Sequence, residues 1–316
     1  MLVEFLILAG ALYVGFTIGG NDAANCMGAC VGGGVLGLRS AVFIGATFAF
    51  MGGIIGGSRV TETIASDVIS PGDLTPTMAA ICLLAAGLLV AFATLRGMPV
   101  STSHAIILGL VGAALAINVD LNTGKLAFMA MAWILVPLAM IPLSLGLFSI
   151  LDGYLSRISS LLRFEVILKY LLLSSAIYAS FALGANHAGL AGGMLQGVGI
   201  TGALGARIIG ALAISLGMLF LSGGVVKTVG AGITTLDPVS AFSMQISAAL
   251  GLTACSIVGI PISSSQTIVA AAIGVGLSRG GGGVDRYQVE KIAVYWLVIP
   301  LATMVITFAL MFIFRS

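Results

Sequence analysis

Phe16-Thr17-Ile18-Gly19-Gly20-Asn21 and Phe181-Ala182-Leu183-Gly184-Ala185-Asn186 write one pattern twice, at a spacing of 165 residues. The same spacing relates Gly45 to Gly210 and Val60-x-x-Thr63 to Val225-x-x-Thr228. It shortens to 162 between Pro99-Val100-Ser101-Thr102-Ser103 and Pro261-Ile262-Ser263-Ser264-Ser265, then becomes 163 between Trp133, Pro137 and Trp296, Pro300. Matched blocks that keep their order with such small shifts indicate an internal duplication. Its halves are residues 1–151 and 166–316, joined by a basic linker at 152–165; Arg157, Arg163 and Lys169 mark this basic stretch.

The setting of the duplication is a membrane. Of 316 residues 59% are hydrophobic and 8% charged, with mean hydropathy +1.19, whereas soluble domains carry about 25% charged residues. A helix needs about 20 apolar residues to cross the hydrocarbon core. Runs near that length recur at 2–18, 40–57, 78–95, 126–151, 166–183, 205–222, 239–262 and 292–314. The shorter runs 105–118 and 268–277 predict re-entrant helices. The first run begins with Glu4 rather than a basic stretch and leads directly into the Asn motif, so it is read as a retained span.

Eight long runs give four per half and parallel halves, unless a Pro-containing segment or a hairpin adds a crossing; composition leaves this parity open. The basic linker reads as cytoplasmic by the positive-inside rule. The 44 glycines suit closely approaching transmembrane helices.

Repeats interrupted at corresponding positions point to a transporter's binding site, and the predicted interruptions are the two Asn motifs and the two Pro-Ser motifs. In Pro99 to His104 the proline disfavours helix before it, and the hydroxyls cap the apolar helix that follows. Pro261 to Gln266 repeats this start signal. Helix N-termini hold anions without a buried lysine, so Ser101, Thr102, Ser103, Ser263, Ser264 and Ser265 are candidates to surround a tetrahedral oxyanion. The same hydroxyls also serve as plain caps.

Gly19 to Asn25 places Asp22 among apolar runs, where a carboxylate is costly and a functional candidate by default. With amide oxygens it suits a hard cation such as sodium. His104 and His187 are candidates for proton or substrate contact. Arg59, Glu62, Asp67 and Asp73 read as solvated loop, and Lys227 as a residue near the cavity. Cys26, Cys30, Cys82 and Cys255 lack zinc spacing and read as packing residues.

Several classes are disfavoured. A net charge of +2, dispersed along the chain, argues against nucleic-acid binding. No Gly-x-x-x-x-Gly-Lys-Ser/Thr loop is present to hold ATP, and two histidines with dispersed carboxylates form no catalytic set. A passive anion channel stays open, because re-entrant helices also build selectivity filters.

Gly19 to Asn25, Gly184 to Gly189, Pro99 to His104 and Pro261 to Thr267 together resemble the PiT family of inorganic phosphate transporters over nearly the whole chain. The resemblance implies an all-α integral membrane protein of two inverted repeats with re-entrant hairpins, multi-pass in the cell membrane and often a homodimer. It also implies no enzymatic activity, no cofactor, and sodium- or proton-coupled symport of phosphate. Sulfate or another oxyanion is the alternative cargo within the family. By position, Ser101, Thr102 and Ser103 resemble one phosphate-holding hairpin and Ser263, Ser264 and Ser265 the other. Asn21, Asp22, Asn25 and Asn186 resemble the cation-binding region, with sodium expected at Asp22. The second half departs from the pattern at His187 in place of Asp, at Gly189 in place of Asn, and at Gln266-Thr267 in place of Thr-His.

Overall fold

The computed structural model describes residues 1–222, 237–278 and 286–314. Lys227 and the Val225-x-x-Thr228 block lie outside these residues. In chain order the helices are α1 Leu2–Gly32, α2 Leu38–Gly56, α3 Ser58–Glu62, α4 Pro76–Leu95, α5 Thr102–Ala116 and α6 Thr123–Leu155. The second half follows with α7 Leu161–Gly197, α8 Ala203–Leu221, α9 Pro238–Ile257, α10 Ser264–Ser278 and α11 Arg286–Ile313. A π-helical turn, Thr63–Asp67, continues α3. Among the described residues, eight helices are long and apolar enough to cross a membrane.

Both expected re-entrant helices form. At 15 residues each, α5 and α10 reach about 22 Å at 1.5 Å per residue, short of the roughly 30 Å hydrocarbon core. Helix α4 runs alongside α1 in the same direction: Gly10 meets Leu83, Gly87 meets Tyr13, and Asn21 meets Thr94. Helix α5 then returns beside α4, with the Cys82 thiol donating to the Ile106 carbonyl at 3.4 Å. An isolated bridge between Ile69 and Leu121 joins the chain before α4 to the chain after α5. The pair α4–α5 therefore enters and leaves on one side, and its tip reaches Asn21, about 28 Å along α1 from Leu2.

The equivalent helices α1 and α7 cross antiparallel. Cys30 Sγ donates to the Leu172 carbonyl at 3.2 Å, Asp22 lies 3.8 Å from His187, and Gly15 abuts Ala191. Partners are exchanged between the halves throughout: α1 packs on α8, α2 on α7, α5 on α11 and α6 on α10. Close approach comes from glycines at matching positions. A Cβ on Gly19 would run into the Ile214 carbonyl, and one on Gly184 into the Ala49 carbonyl. Outside this core, α6 turns Phe128, Met131, Ile134, Leu135 and Leu138 outward, as a lipid-facing helix does. The chain is an all-helical integral membrane protein.

Two sequence expectations change. The Asn motifs do not interrupt their helices, because α1 and α7 continue unbroken through them; the Asn21 and Asn186 amides bond other segments rather than their own backbone. The linker expected at 152–165 is largely helix, with only 156–160 between α6 and α7, and Ser160 capping α7 through Arg163 N. Arg163 and Lys169 thus lie on α7. Arg59 and Glu62 are exposed on α3, and Asp67 pairs with Lys125 at 2.8 Å.

Candidate functional site

Each hairpin tip is held by one asparagine, and the two sets of bonds match. Asn21 Nδ2 donates to Thr94 Oγ1 at 2.9 Å and to the Met98 carbonyl at 3.0 Å, while its Oδ1 accepts from Val100 N at 3.1 Å. Asn186 Nδ2 donates to Ser256 Oγ and to the Ile260 carbonyl, both at 3.0 Å, and its Oδ1 accepts from Ile262 N at 3.0 Å. Gly97 and Gly259 turn the chain into these clamps with φ of +68° and +71°, a region glycine enters without steric cost. The amide hydrogens of both asparagines are committed to the last turns of α4 and α9 and to the loops that lead to Pro99 and Pro261. These bonds position the tips, and each Oδ1, the atom a cation would use, already accepts one backbone N–H.

The clamps aim two helix N-termini at the α1–α7 crossing. Ser101 accepts from His104 N at 3.4 Å and Ser263 from Gln266 N at 3.2 Å, so both hairpin helices begin with a hydroxyl cap. Ser264 Oγ donates to Asp22 Oδ1 at 2.7 Å, and Asn25 Nδ2 donates to the same carboxylate oxygen and to Ser264 Oγ, both at 3.2 Å. Ser265 Oγ bonds the Val100 carbonyl at 3.0 Å and Ser263 Oγ at 3.1 Å. Thus Asp22, Asn25 and the two tips form one cluster, and Ser101, Thr102, Ser103, Ser263, Ser264 and Ser265 are all buried in it. An Asp at the end of a span would face water, but Asp22 is fully buried.

Buried polar atoms normally have partners. Among the described residues, eight buried side-chain atoms have none, and seven belong to this assembly. They are Asp22 Oδ2, Asn25 Oδ1, Ser103 Oγ, His104 Nε2, His187 Nε2, Gln266 Oε1 and Trp296 Nε1. Two are oxygens on one turn of α1, a donor set that fits a hard cation. His187 Nδ1 is 3.3 Å from the Leu183 carbonyl, which leaves Nε2 toward Asp22. Gly189 instead packs against the Thr61 backbone, and at the constant spacing the counterpart of Asn25 is the buried Leu190. The oxygen set is therefore one-sided.

Sequence reasoning used Trp133 only to fix the register of the repeat. In the structure its Nε1 donates to the Pro261 carbonyl at 2.9 Å while its ring lies 3.9 Å from that of His104, so it touches both hairpins. Thr94 and Ser256 were also missed, although both are hydroxyls at the 162 spacing. Gln245, which bonds the Cys26 carbonyl and Ser175 Oγ, both at 2.7 Å, has Leu83 as its counterpart and left no such signal.

With this geometry in hand, comparison with known proteins is specific. The model of the phosphate transporter family matches residues 18–307. A "Probable low-affinity inorganic phosphate transporter" of Rhizobium meliloti is 32% identical, covering 95% of this chain and 93% of its own. The sulfate permease CysP of Bacillus subtilis is 27% identical over 99% of this chain and 88% of its own. A solved structure, described as the sodium-dependent phosphate transporter, superposes with a TM-score of 0.87 at 26% identity, covering 100% of this chain and 99% of that one. These proteins are transporters or permeases rather than enzymes, and the chain belongs to the phosphate transporter family.

Proposed function

We propose that the protein is a secondary transporter in the cell membrane that takes up inorganic phosphate together with a cation, sodium before proton. The observation that carries this reading is the set of unpartnered polar atoms where two capped helix N-termini meet a buried carboxylate. N-terminal amides and hydroxyls of Thr102, Ser103, Ser264 and Ser265 favour an oxyanion. Asp22 by itself repels one. A cation held by Asp22 Oδ2 and Asn25 Oδ1 removes that repulsion, so anion affinity depends on cation occupancy, which is the thermodynamic core of symport. Sodium is supported by these oxygen donors and by what the similar solved transporter depends on.

The antiparallel crossing of α1 and α7 and the one-sided hairpin α4–α5 support inverted repeats, with α1, α2 and α6 crossing in the first half. An inverted pair can present one site alternately to the two sides. The assembly carried over from the family resemblance is a homodimer. Proteoliposome uptake of labelled phosphate, with sodium and proton gradients imposed separately, tests cargo and coupling together. Saturable accumulation that collapses with the sodium gradient is expected; flux indifferent to either gradient would identify a channel.

Sulfate is the second reading, favoured by the sulfate permease relative, which matches 99% of this chain. Sulfate added in the same assay decides: it inhibits weakly if phosphate is the cargo and replaces it if sulfate is.

A further inference from the structure

The two halves match in their clamps, caps and glycine contacts, yet three contacts at the tips occur on one side only. Trp133 Nε1 bonds the Pro261 carbonyl, whereas its counterpart Trp296 Nε1 has no partner among the described residues. Ser265 Oγ bonds the Val100 carbonyl, whereas its counterpart Ser103 Oγ has none. His104 is covered by Trp133, whereas Gln266 Oε1 is without a partner and lines, with Trp296, a cavity of about 290 Å³ between α6, α10 and α11. Each contact is made in one copy and left open in its counterpart: the first half's tryptophan holds the second half's hairpin, the second half's Ser265 holds the first half's loop, and the reciprocal holds are not made.

A buried indole N–H without an acceptor is costly, so Trp296 has an incentive to find one. The duplication names it. Trp133 is to the Pro261 carbonyl as Trp296 is to the Pro99 carbonyl, and Ser265 is to the Val100 carbonyl as Ser103 is to the Ile262 carbonyl. The geometry points to Trp133 and Trp296 as a pair of alternating positioning residues, each latching the opposite hairpin in one of two states. The state described here has the Trp133 latch made; in the other, Trp296 bonds Pro99 and Trp133 releases Pro261. This rests on the transport reading only for its purpose, since the two states expose the site to opposite sides.

The chain contains two tryptophans, so each can be watched alone. Protein labelled with [15N]tryptophan in lipid nanodiscs should give two indole N–H resonances, and phenylalanine keeps the ring while removing the donor. In Trp133→Phe the remaining Trp296 resonance should move toward its hydrogen-bonded position, as the ratio of states shifts about fivefold, the effect of one net hydrogen bond. In Trp296→Phe the Trp133 resonance should move further toward bonded, a shift of the ratio in the opposite direction. A remaining indole that moves toward its unbonded position in either variant, or no movement in either variant, overturns the proposal. Should Trp133→Phe not fold, Trp296→Phe decides: an unchanged Trp133 resonance, still averaged with an unbonded form, sinks it. Because no phosphate enters this measurement, failure of phosphate uptake overturns the cargo assignment and leaves the latch result standing.

Discussion

Asp22 and His187 occupy the same position in the two repeats and face each other across the α1–α7 crossing, Oδ2 to Nε2 at 3.8 Å. The separation exceeds a hydrogen bond, and both atoms are without partners among the described residues. Duplication thus put one position of the ancestral repeat on both sides of the site. Divergence left a carboxylate on one side and an imidazole on the other, so only one side offers a negative charge to a cation.

Asp22→Asn should abolish cation-driven uptake in a protein that still folds, because the amide preserves shape while removing the site's carboxylate. Uptake under imposed sodium or proton gradients, with thermal unfolding as the control, checks this. Wild-type rates would make Asp22 structural.

His187→Asp should strengthen sodium dependence, lowering the sodium concentration for half-maximal uptake, because it supplies a second carboxylate opposite the first. His187→Gln adds no charge and should leave that concentration near the wild-type value. The comparison separates charge from shape at one position.

Removing both hairpin caps, Ser101→Ala with Ser263→Ala, should weaken phosphate binding by tenfold or more, given that a cap contributes about 1 kcal/mol. The pair Ser156→Ala with Ser160→Ala, in the connection between α6 and α7, should leave binding unchanged. Equal affinities for both double variants, measured by isothermal titration, would remove the two-hairpin site.

Asn21→Ala and Asn186→Ala should each lower stability by about 1–3 kcal/mol, since each strands a buried N–H and a buried carbonyl at a tip. If the asparagines are clamps, both variants should also weaken phosphate binding with or without sodium. A loss seen only in sodium would mark a cation ligand instead.

The sequence carried the fold through repetition. Asn21 and Asn186, Ser101 and Ser263, and Trp133 and Trp296 are readable because duplication writes each twice, and hydropathy alone locates the spans and the short hairpin helices. The one-sided features were harder to read. His187 is visible as a departure, but its approach to Asp22 depends on the crossing of α1 and α7, which no local pattern encodes. The uninterrupted course of α1 through Asn21 is hidden for a related reason: an asparagine reads as a break when its bonding partner, here the chain around Pro99, is far away in sequence. Gln245 gave no warning because its partners, Cys26 and Ser175, lie in other helices.

The exchange of partners between halves, α1 with α8 and α5 with α11, also bears on how the protein is made. When the ribosome has delivered only the first half, Asp22 has Asn25 alone and the Gly19 face lacks Ile214, because the second-half surfaces that cover them have not been translated. The first half therefore carries polar groups that neighbouring lipid cannot satisfy until α7, α8 and α10 arrive. Completion of the site and completion of the fold are one late event, and a prematurely truncated chain would present the quality-control machinery with an open carboxylate rather than a smaller transporter.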